Sequence, residues 1–269
     1  MEWHLLGWLA VLCYVGAEAL AIVSMRQPRP STAWPGALLL AGGLAFQFAD
    51  LRLEARALGS VPYRTLGGSV SLFAWMLAIA YLALQIRHRE KALGPFLIPI
   101  VIGSCAIGLL LPFRASAPTP ETRGTLFALH VTFAILAYAA FTFSFVLSLL
   151  YLIQNRQIRR KQTGVLFARL PALEVIGQMN RTSVSVGLVV LTVALLFGGA
   201  WALHVWGSLT DPKIVWAVLT LLVYAFLLWM DRRGWEGPRV ALLSILGFGV
   251  VLFSYTVVNL YFSHTHTFR

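Results

Sequence analysis

The feature that most constrains this chain is a series of long apolar segments separated by short polar loops. Crossing a bilayer takes about 20 mostly apolar residues in a helix, because lipid offers no partner for exposed backbone amides. Hydrophobic residues make up 59% of the 269-residue sequence and charged residues only 12%, whereas soluble domains average about 25% charged residues. The sequence therefore predicts an all-α integral membrane protein.

Eight segments have the length and composition of a membrane-spanning helix. They are predicted near residues 3–24, 35–50, 69–86, 95–112, 127–154, 183–203, 214–230 and 240–262. The first has neither a basic flank nor a cleavage site, so it is predicted to be a retained span and not a signal peptide. Residues 164–181 are too polar to span, and because Pro171 suits a first helical turn we predict a short helix there at the cytoplasmic interface. We expect a single transmembrane domain over residues 1–269.

Basic residues are divided unequally between the two sets of loops. One set holds 14 of the 21 Lys and Arg residues and the other holds seven. The richer set is predicted to be cytoplasmic by the positive-inside rule, which places both termini outside a plasma (inner) membrane. This topology accounts for the net charge of +11, so the bilayer and not nucleic acid is the expected partner of the basic residues.

Five of the six histidines fall at the outer ends of the predicted spans. They are His4, His130, His204, His264 and His266. Three tryptophans, Trp201, Trp206 and Trp216, surround the outer loop between the sixth and seventh spans. This asymmetry is the main functional signal of the composition. The two cysteines, Cys13 and Cys105, lie in separate apolar segments and predict no disulfide, and no CxxCH haem-attachment motif occurs.

Histidines beside tryptophans at a membrane surface suit a flat, apolar, metal-bearing ligand. Neutral imidazole is a good axial ligand of haem iron, and two imidazoles can hold one iron from opposite sides. Tryptophan rings offer apolar contact to a macrocycle, while Lys213 and Arg64 are candidate partners of the propionates. An ordinary interfacial belt is also rich in tryptophan, so both interpretations stay open here. Zinc is less favoured, because His264 and His266 have no acidic or thiol partner nearby in the sequence.

Charged residues inside the predicted spans allow two interpretations. Glu18 lies within the first span, where a carboxylate marks either a functional site or a hydrogen-bonded group that faces the helix bundle. At the end of the second span, charges alternate in sign at helical spacing and are predicted to form a solvated face. These residues are Asp50, Arg52, Glu54 and Arg56.

The outer loop between spans six and seven resembles the haem-presenting loop of the cytochrome c assembly family, which includes CcsA-, CcmC- and HemX-like proteins. The family form is WGxxWxWDPKE, preceded by G-x-x-W-A and followed by a span with W…YA. The matching residues are Gly198, Trp201, Ala202, Trp206, Gly207, Asp211, Pro212, Lys213, Trp216, Tyr224 and Ala225. The similarity extends to SLFAWMLAIAYL at 71–82, LPALE at 170–174 and GWEGPR at 234–239.

The resemblance implies that haem b is held non-covalently on the outer face between two histidines. His130 matches the first ligand in its HV…LAYAAF setting, and aligning HTHTF with the family's GLHSY makes His266 the second ligand and His264 an additional histidine. The loop would be formed by Trp201, Trp206, Asp211, Pro212, Lys213 and Trp216. The implied function is non-enzymatic: haem is presented for the biogenesis of c-type cytochromes, with apocytochrome c or other assembly proteins as partners.

Two departures from the family pattern keep an alternative open. Only Ser208, Leu209 and Thr210 separate Gly207 from Asp211, where the family has five residues, two of them tryptophan. Long members of the family also carry a histidine in an early span, where this chain has Gln47. The alternative is a HemX-like regulatory or scaffold protein that acts through protein partners, in the control of haem synthesis or in a respiratory complex, without bound haem. A transporter is not favoured, since neither repeats nor broken midplane helices are apparent.

Overall fold

The computed structural model describes residues 4–26, 33–59, 61–62, 65–88, 92–111, 124–161, 164–208 and 212–253. The longer regular elements in these ranges are all α-helices. They are α1 (Leu5–Arg26), α2 (Ala33–Leu58), α3 (Leu66–His88), α4 (Gly94–Leu110), α5 (Thr125–Arg159), α6 (Val165–Arg169), α7 (Leu173–Trp206), α8 (Pro212–Arg232) and α9 (Gly237–Phe253).

Each predicted span corresponds to one helix of this series. Within the described residues, six helices are long and apolar enough to cross a membrane, namely α1, α2, α3, α5, α7 and α8. Helices α4 and α9 are apolar but have 17 residues each in the described part. The prediction of an all-α membrane protein is confirmed. The count of eight crossings and the outer position of both termini stay predictions.

The segment predicted as one short helix over 164–181 is divided by a proline. Helix α6 ends at Arg169, and α7 begins at Leu173. Pro171 lies between them, so its predicted place in a first helical turn is wrong. A proline disfavours helical geometry in the residue before it and has no amide to donate, which explains the break. The sixth predicted span therefore begins within a helix that starts at Leu173.

The chain divides into two compact units. Unit 1 comprises Met1–Pro118 and Gly164–Pro171, and unit 2 comprises Thr119–Thr163 and Ala172–Arg269. Unit 1 thus contains α1 to α4 and α6, and unit 2 contains α5, α7, α8 and α9. The single transmembrane domain expected over 1–269 stays a prediction.

A buried glutamine joins three helices of unit 1. The Tyr14 hydroxyl in α1 donates to Gln47 Oε1 in α2 at 2.7 Å. Gln47 Nε2 in turn donates to the Ser71 carbonyl in α3 at 2.9 Å and to Ser71 Oγ at 3.1 Å. Gln47 is fully buried, and burying an amide is costly unless it is hydrogen-bonded. Its hydrogen bonds therefore stabilise the packing of α1, α2 and α3.

The solvated face predicted at the end of the second span is wrong for its two acidic residues. Asp50 is 4% exposed and Glu54 is 8% exposed, whereas Arg52 and Arg56 are exposed. Because α2 continues to Leu58, Asp50 and Glu54 lie one turn apart on the face of the helix that packs inward. Glu54 Oε1 accepts a 2.7 Å hydrogen bond from the Thr65 hydroxyl, and the His4 and Asp50 side chains lie 3.6 Å apart.

Glu18, the other acidic residue singled out in unit 1, is partly buried in α1. Its Oε2 atom is buried and has no hydrogen-bond partner among the described residues. This position agrees with a side chain that faces the helix bundle. Both interpretations of Glu18 stay open.

Unit 2 is built on an antiparallel pair of long helices, α5 and α7. Phe141 of α5 stacks on Tyr224 of α8, with ring centroids 3.7 Å apart and planes inclined by 7°. On α7, a Cβ at Gly187 would lie 2.8 Å from Phe141 Cδ1, so glycine allows the ring to approach the helix backbone. One helical turn further along α5, the Ser144 hydroxyl donates to Asn180 Oδ1 at 2.6 Å. These contacts set the register of α5 against α7.

Candidate functional site

Four helix ends meet at one end of unit 2. Phe127 lies against Trp201 and Phe141 against Gly187, so α5 begins where α7 ends. Trp216 at the start of α8 contacts Phe253 at the end of α9, with ring centroids 4.8 Å apart. Only residues 207–211 separate α7 from α8. The start of α5, the end of α7, the start of α8 and the end of α9 therefore share one end, which we call the His130 end.

His130 lies in the second turn of α5 and is hydrogen-bonded to α7. Its Nδ1 atom lies 2.8 Å from the carbonyl oxygen of Ala194. A carbonyl oxygen can only accept a hydrogen bond, so Nδ1 carries the proton in this contact and donates it. The neutral imidazole then has its basic lone pair on Nε2, and a metal binds a neutral imidazole through the nitrogen that carries the lone pair. The contact defines the tautomer of His130.

Gly198 lies beside the His130 ring, one helical turn after Ala194. A Cβ on Gly198 would lie 2.6 Å from His130 Cε1 and 3.1 Å from Cγ, and closer still to Nδ1. Gly199, the next residue, has no atom of a described residue within 4 Å of the equivalent Cβ position. The imidazole thus occupies the space that any side chain at position 198 would need.

Trp201 and Trp206 are residues of α7, so the place in the loop that the resemblance implies for them is wrong. For Trp201 the helical position agrees with the span predicted over 183–203. Trp201 is 6% exposed, and its ring centroid lies 5.2 Å from that of Phe127. The Trp201 ring therefore packs in the interior, against the turn of α5 that precedes His130. Trp206 is the last residue of α7, and its side chain lies outside the described set. His204, predicted to begin the loop, also belongs to the last turn of α7 and is exposed.

The connection between α7 and α8 is short. Gly207 ends α7 in a left-handed conformation with φ 65°, which glycine adopts without steric cost. Helix α8 begins at Pro212, which confirms that this proline starts the seventh predicted span. Lys213 follows in the first turn of α8, with its side chain outside the described set, and Trp216 is partly buried one turn later.

Several predicted site residues lie outside the described residues. They are Arg64, Asp211, His264 and His266. The predicted second ligand, His266, is therefore untested. Helix α9 runs toward the His130 end, and Phe253 at its described terminus precedes this C-terminal segment in the sequence.

The described residues fit one axial position of a haem. No three His, Cys, Asp or Glu side chains are grouped as a metal site in the described part of the chain. A haem iron has its four equatorial ligands in the macrocycle and takes only one or two axial ligands from the protein. One imidazole with its lone pair on Nε2, as at His130, meets that requirement.

Basic residues collect at the opposite end of unit 2, where α5 and α8 end and α7 and α9 begin. They are Arg156, Arg159, Arg160, Lys161, Arg181, Arg232, Arg233 and Arg239. Arg181 pairs with Asp231 of α8, its Nη2 donating to Oδ1 at 3.1 Å. The described part of unit 2 is therefore strongly polarised in charge, with the His130 end away from the arginines.

Two residues of this geometry had no assigned role in the sequence. Ala194 contacts His130 through its backbone, which leaves no signal in residue type. Gly198 appeared only as a member of the G-x-x-W-A pattern. The spacing of Gly198 and Trp201 in that pattern was the only feature of the sequence that pointed to Gly198.

Known proteins match this chain over most of its length. Residues 63–266 match the family described as Cytochrome C assembly protein. The cytochrome c biogenesis protein CcsA of Chlamydomonas reinhardtii is 32% identical over 222 residues, which cover 78% of this chain and 61% of that protein. The corresponding protein of Prochlorococcus marinus strain MIT 9312 is 31% identical, covering 75% of this chain and 74% of its own. That of Synechococcus sp. strain CC9902 is 29% identical, covering 95% and 92%.

Proposed function

The chain belongs to the cytochrome c assembly protein family, and from this premise we propose that it is a non-enzymatic membrane assembly factor that holds haem b at the His130 end for the biogenesis of c-type cytochromes. Its relatives carry the name cytochrome c biogenesis protein. Haem is the cargo in this proposal, and apocytochrome c or other assembly proteins are the partners.

The observation that carries the proposal is the hydrogen bond from His130 to the Ala194 carbonyl, 2.8 Å long. A histidine ligand of a metal usually donates its second ring N–H to a carbonyl or a carboxylate, which fixes the tautomer and orients the ring. His130 has this arrangement before any ligand is considered. It is proposed as one axial ligand of the haem, through Nε2.

The remaining roles follow from family resemblance. His266 is proposed as the second axial ligand, with His264 beside it. Trp206 and Trp216 are proposed to contact the macrocycle. Lys213 and Arg64 are proposed to pair with the propionates. Asp211 belongs to the connection that precedes Lys213. Trp201 has a different role, because its buried ring supports Phe127 and hence the turn that carries His130.

The placement of the site also follows from charge. Arginines collect at the end of unit 2 opposite His130, and cytoplasmic ends of membrane helices are enriched in Lys and Arg. This supports an outer position for the His130 end in the plasma (inner) membrane, with eight crossings and both termini outside.

A HemX-like scaffold or regulator without bound haem is the second candidate. It is favoured by the short connection over 207–211 and by the burial of Trp201, which leave fewer aromatic side chains for a haem platform. In this case the protein acts through protein partners in the membrane.

The visible spectrum of protein purified in detergent from a haem-replete host decides between the two. Haem binding predicts a Soret band in the wild type that is lost or shifted in His130→Ala. His204→Ala is the matched control, since His204 is exposed at the same end of α7 and is expected to leave the spectrum unchanged. Wild-type protein that has no Soret band, even after haem is added, overturns the proposal and favours the scaffold.

A further inference from the structure

We infer that the backbone of α7 positions His130. The Ala194 carbonyl accepts the hydrogen bond from Nδ1–H of the ring, and the absence of a side chain at Gly198 leaves space for the ring. The functional part of this inference rests on the proposed function, because the Nδ1–H tautomer is the one that presents Nε2 to haem iron. Its structural part is independent of any ligand. Gly198 and Ala194 are therefore proposed as positioning residues.

The acceptor is available because of the helix geometry around Ala194. A carbonyl oxygen has two lone pairs, so within a helix it can accept an imidazole N–H in addition to a backbone amide. The Cα–Cβ bonds of a helix tilt toward its N-terminus, so a side chain lies over the turn before its own Cα. A side chain at position 198 would thus lie near the Ala194 carbonyl. Glycine leaves that carbonyl accessible to His130.

Helices α5 and α7 cannot easily separate to relieve a clash at position 198, because aromatic pairs hold them together on both sides of His130. Three residues before His130, Phe127 packs against Trp201 with ring centroids 5.2 Å apart. Three residues after it, Phe133 stacks on Phe197 with ring centroids 5.8 Å apart. A Cβ on Gly198 would lie 2.6 Å from His130 Cε1, far inside van der Waals contact. We expect the imidazole to rotate out and to lose its hydrogen bond to Ala194.

Gly198→Ala is therefore the informative change, and Gly199→Ala is its matched control. Both substitutions replace a helical glycine of α7 with a better helix former, but only the first places a methyl group on the His130 ring. Within the part of the chain that the structure describes, no atom lies within 4 Å of the Cβ position of Gly199. A defect specific to Gly198→Ala cannot come from helix propensity.

The first measurement uses haem-free full-length protein and ¹⁵N-labelled histidine, with the His130 signals assigned by comparison with His130→Asn. We expect the Nδ1–H tautomer in the wild type and in Gly199→Ala, and a mixture of tautomers or a protonated ring in Gly198→Ala. An identical tautomer in all three proteins overturns the inference, whether or not the protein binds haem.

The second measurement uses haem-loaded protein and separates this inference from the proposed function. A group that accepts a hydrogen bond from the other ring nitrogen of a metal-bound histidine typically contributes about 10–100-fold in metal affinity. We expect Gly198→Ala to lose haem to an acceptor such as apomyoglobin at least about tenfold faster than the wild type, and Gly199→Ala to match the wild type. If His130→Ala alters the Soret band and Gly198→Ala retains wild-type haem, the inference fails and the proposed function stands. If His130→Ala leaves the haem spectrum unchanged, the proposed ligand fails, and the tautomer measurement alone decides the inference.

Discussion

The hydroxyl of Tyr14 in α1 and the side-chain carbonyl of Gln47 in α2 form a 2.7 Å hydrogen bond in the interior of unit 1. The amide nitrogen of Gln47 is bonded to Ser71 of α3. An amide with these partners acts as a connection between helices. It offers no iron ligand at the place where long family members are expected to carry a histidine.

Replacing Gln47 with leucine is predicted to weaken unit 1 without changing haem content. The substitution leaves the buried Tyr14 hydroxyl and the Ser71 hydroxyl without this partner, and each such loss costs about 1–3 kcal/mol. Thermal unfolding in detergent should show a lower midpoint, and haem per chain, measured by pyridine haemochrome, should equal that of the wild type. Tyr14→Phe removes one partner only and should cost less. Loss of haem in a folded Gln47→Leu protein would contradict this structural role.

Thr65 is predicted to contribute to stability through two hydrogen bonds of one hydroxyl. It precedes α3 and accepts a 2.9 Å bond from the amide of Gly68, which is the geometry of a helix N-cap. The same hydroxyl donates to buried Glu54 at 2.7 Å. Thr65→Val keeps the shape and removes both bonds, so the free energy of unfolding should fall by about 1–3 kcal/mol.

Thr65→Ser is the matched control for this change, because serine is also a strong N-cap residue. It should restore most of the lost stability in the same thermal melt. Equal unfolding midpoints for Thr65→Val and the wild type would show that neither bond matters for folding.

Gly187→Ala is predicted to disrupt the packing of unit 2. The new methyl group would lie 2.8 Å from Phe141 Cδ1, and the Phe141 ring is fixed on its other side by the stack with Tyr224. Overpacking a core in this way typically costs about 1–3 kcal/mol. The comparison is Gly249→Ala in α9, where no described residue comes within 4 Å of the Cβ position, so this change should be neutral or stabilising. In thermal unfolding followed by circular dichroism, the midpoint of Gly187→Ala should lie below that of the wild type, and the midpoint of Gly249→Ala should equal or exceed it.

Helix number and approximate position could be predicted from apolar length, because each helix must satisfy its own backbone in lipid. Which polar side chains point into the protein could not be predicted in this way. Asp50 and Glu54 look like a charged surface in sequence, but α2 turns them inward against Thr65 and His4. The short, mixed pattern around Trp206 and Gly207 indicated a loop, whereas α7 continues to Trp206 and ends where Gly207 adopts positive φ.

The site was predictable only in part, for a related reason. A histidine near the start of a span can be found by inspection, and His130 was. Its partner is a backbone carbonyl on a helix that lies 64 residues away in the sequence, and every residue has such a carbonyl. The register of α5 against α7 is set by side-chain packing, such as Phe141 against Gly187, which a single sequence does not display.

The orientation of unit 2 leads to the last prediction, which concerns cysteine labelling in intact cells. Ser208 follows α7 at the His130 end, Arg160 follows α5 at the arginine-rich end, and both are exposed.

In a background with Cys13 and Cys105 replaced by alanine, Ser208→Cys should react with a membrane-impermeant maleimide in intact cells, after permeabilisation of any outer membrane. Arg160→Cys should react only once the membrane that contains the protein is opened, because arginine-rich ends stay on the cytoplasmic side. Each variant serves as the control of the other, since both must label in lysed cells. The reverse pattern would place His130 on the cytoplasmic side, where it could receive haem at its site of synthesis but could not present it to an apocytochrome outside.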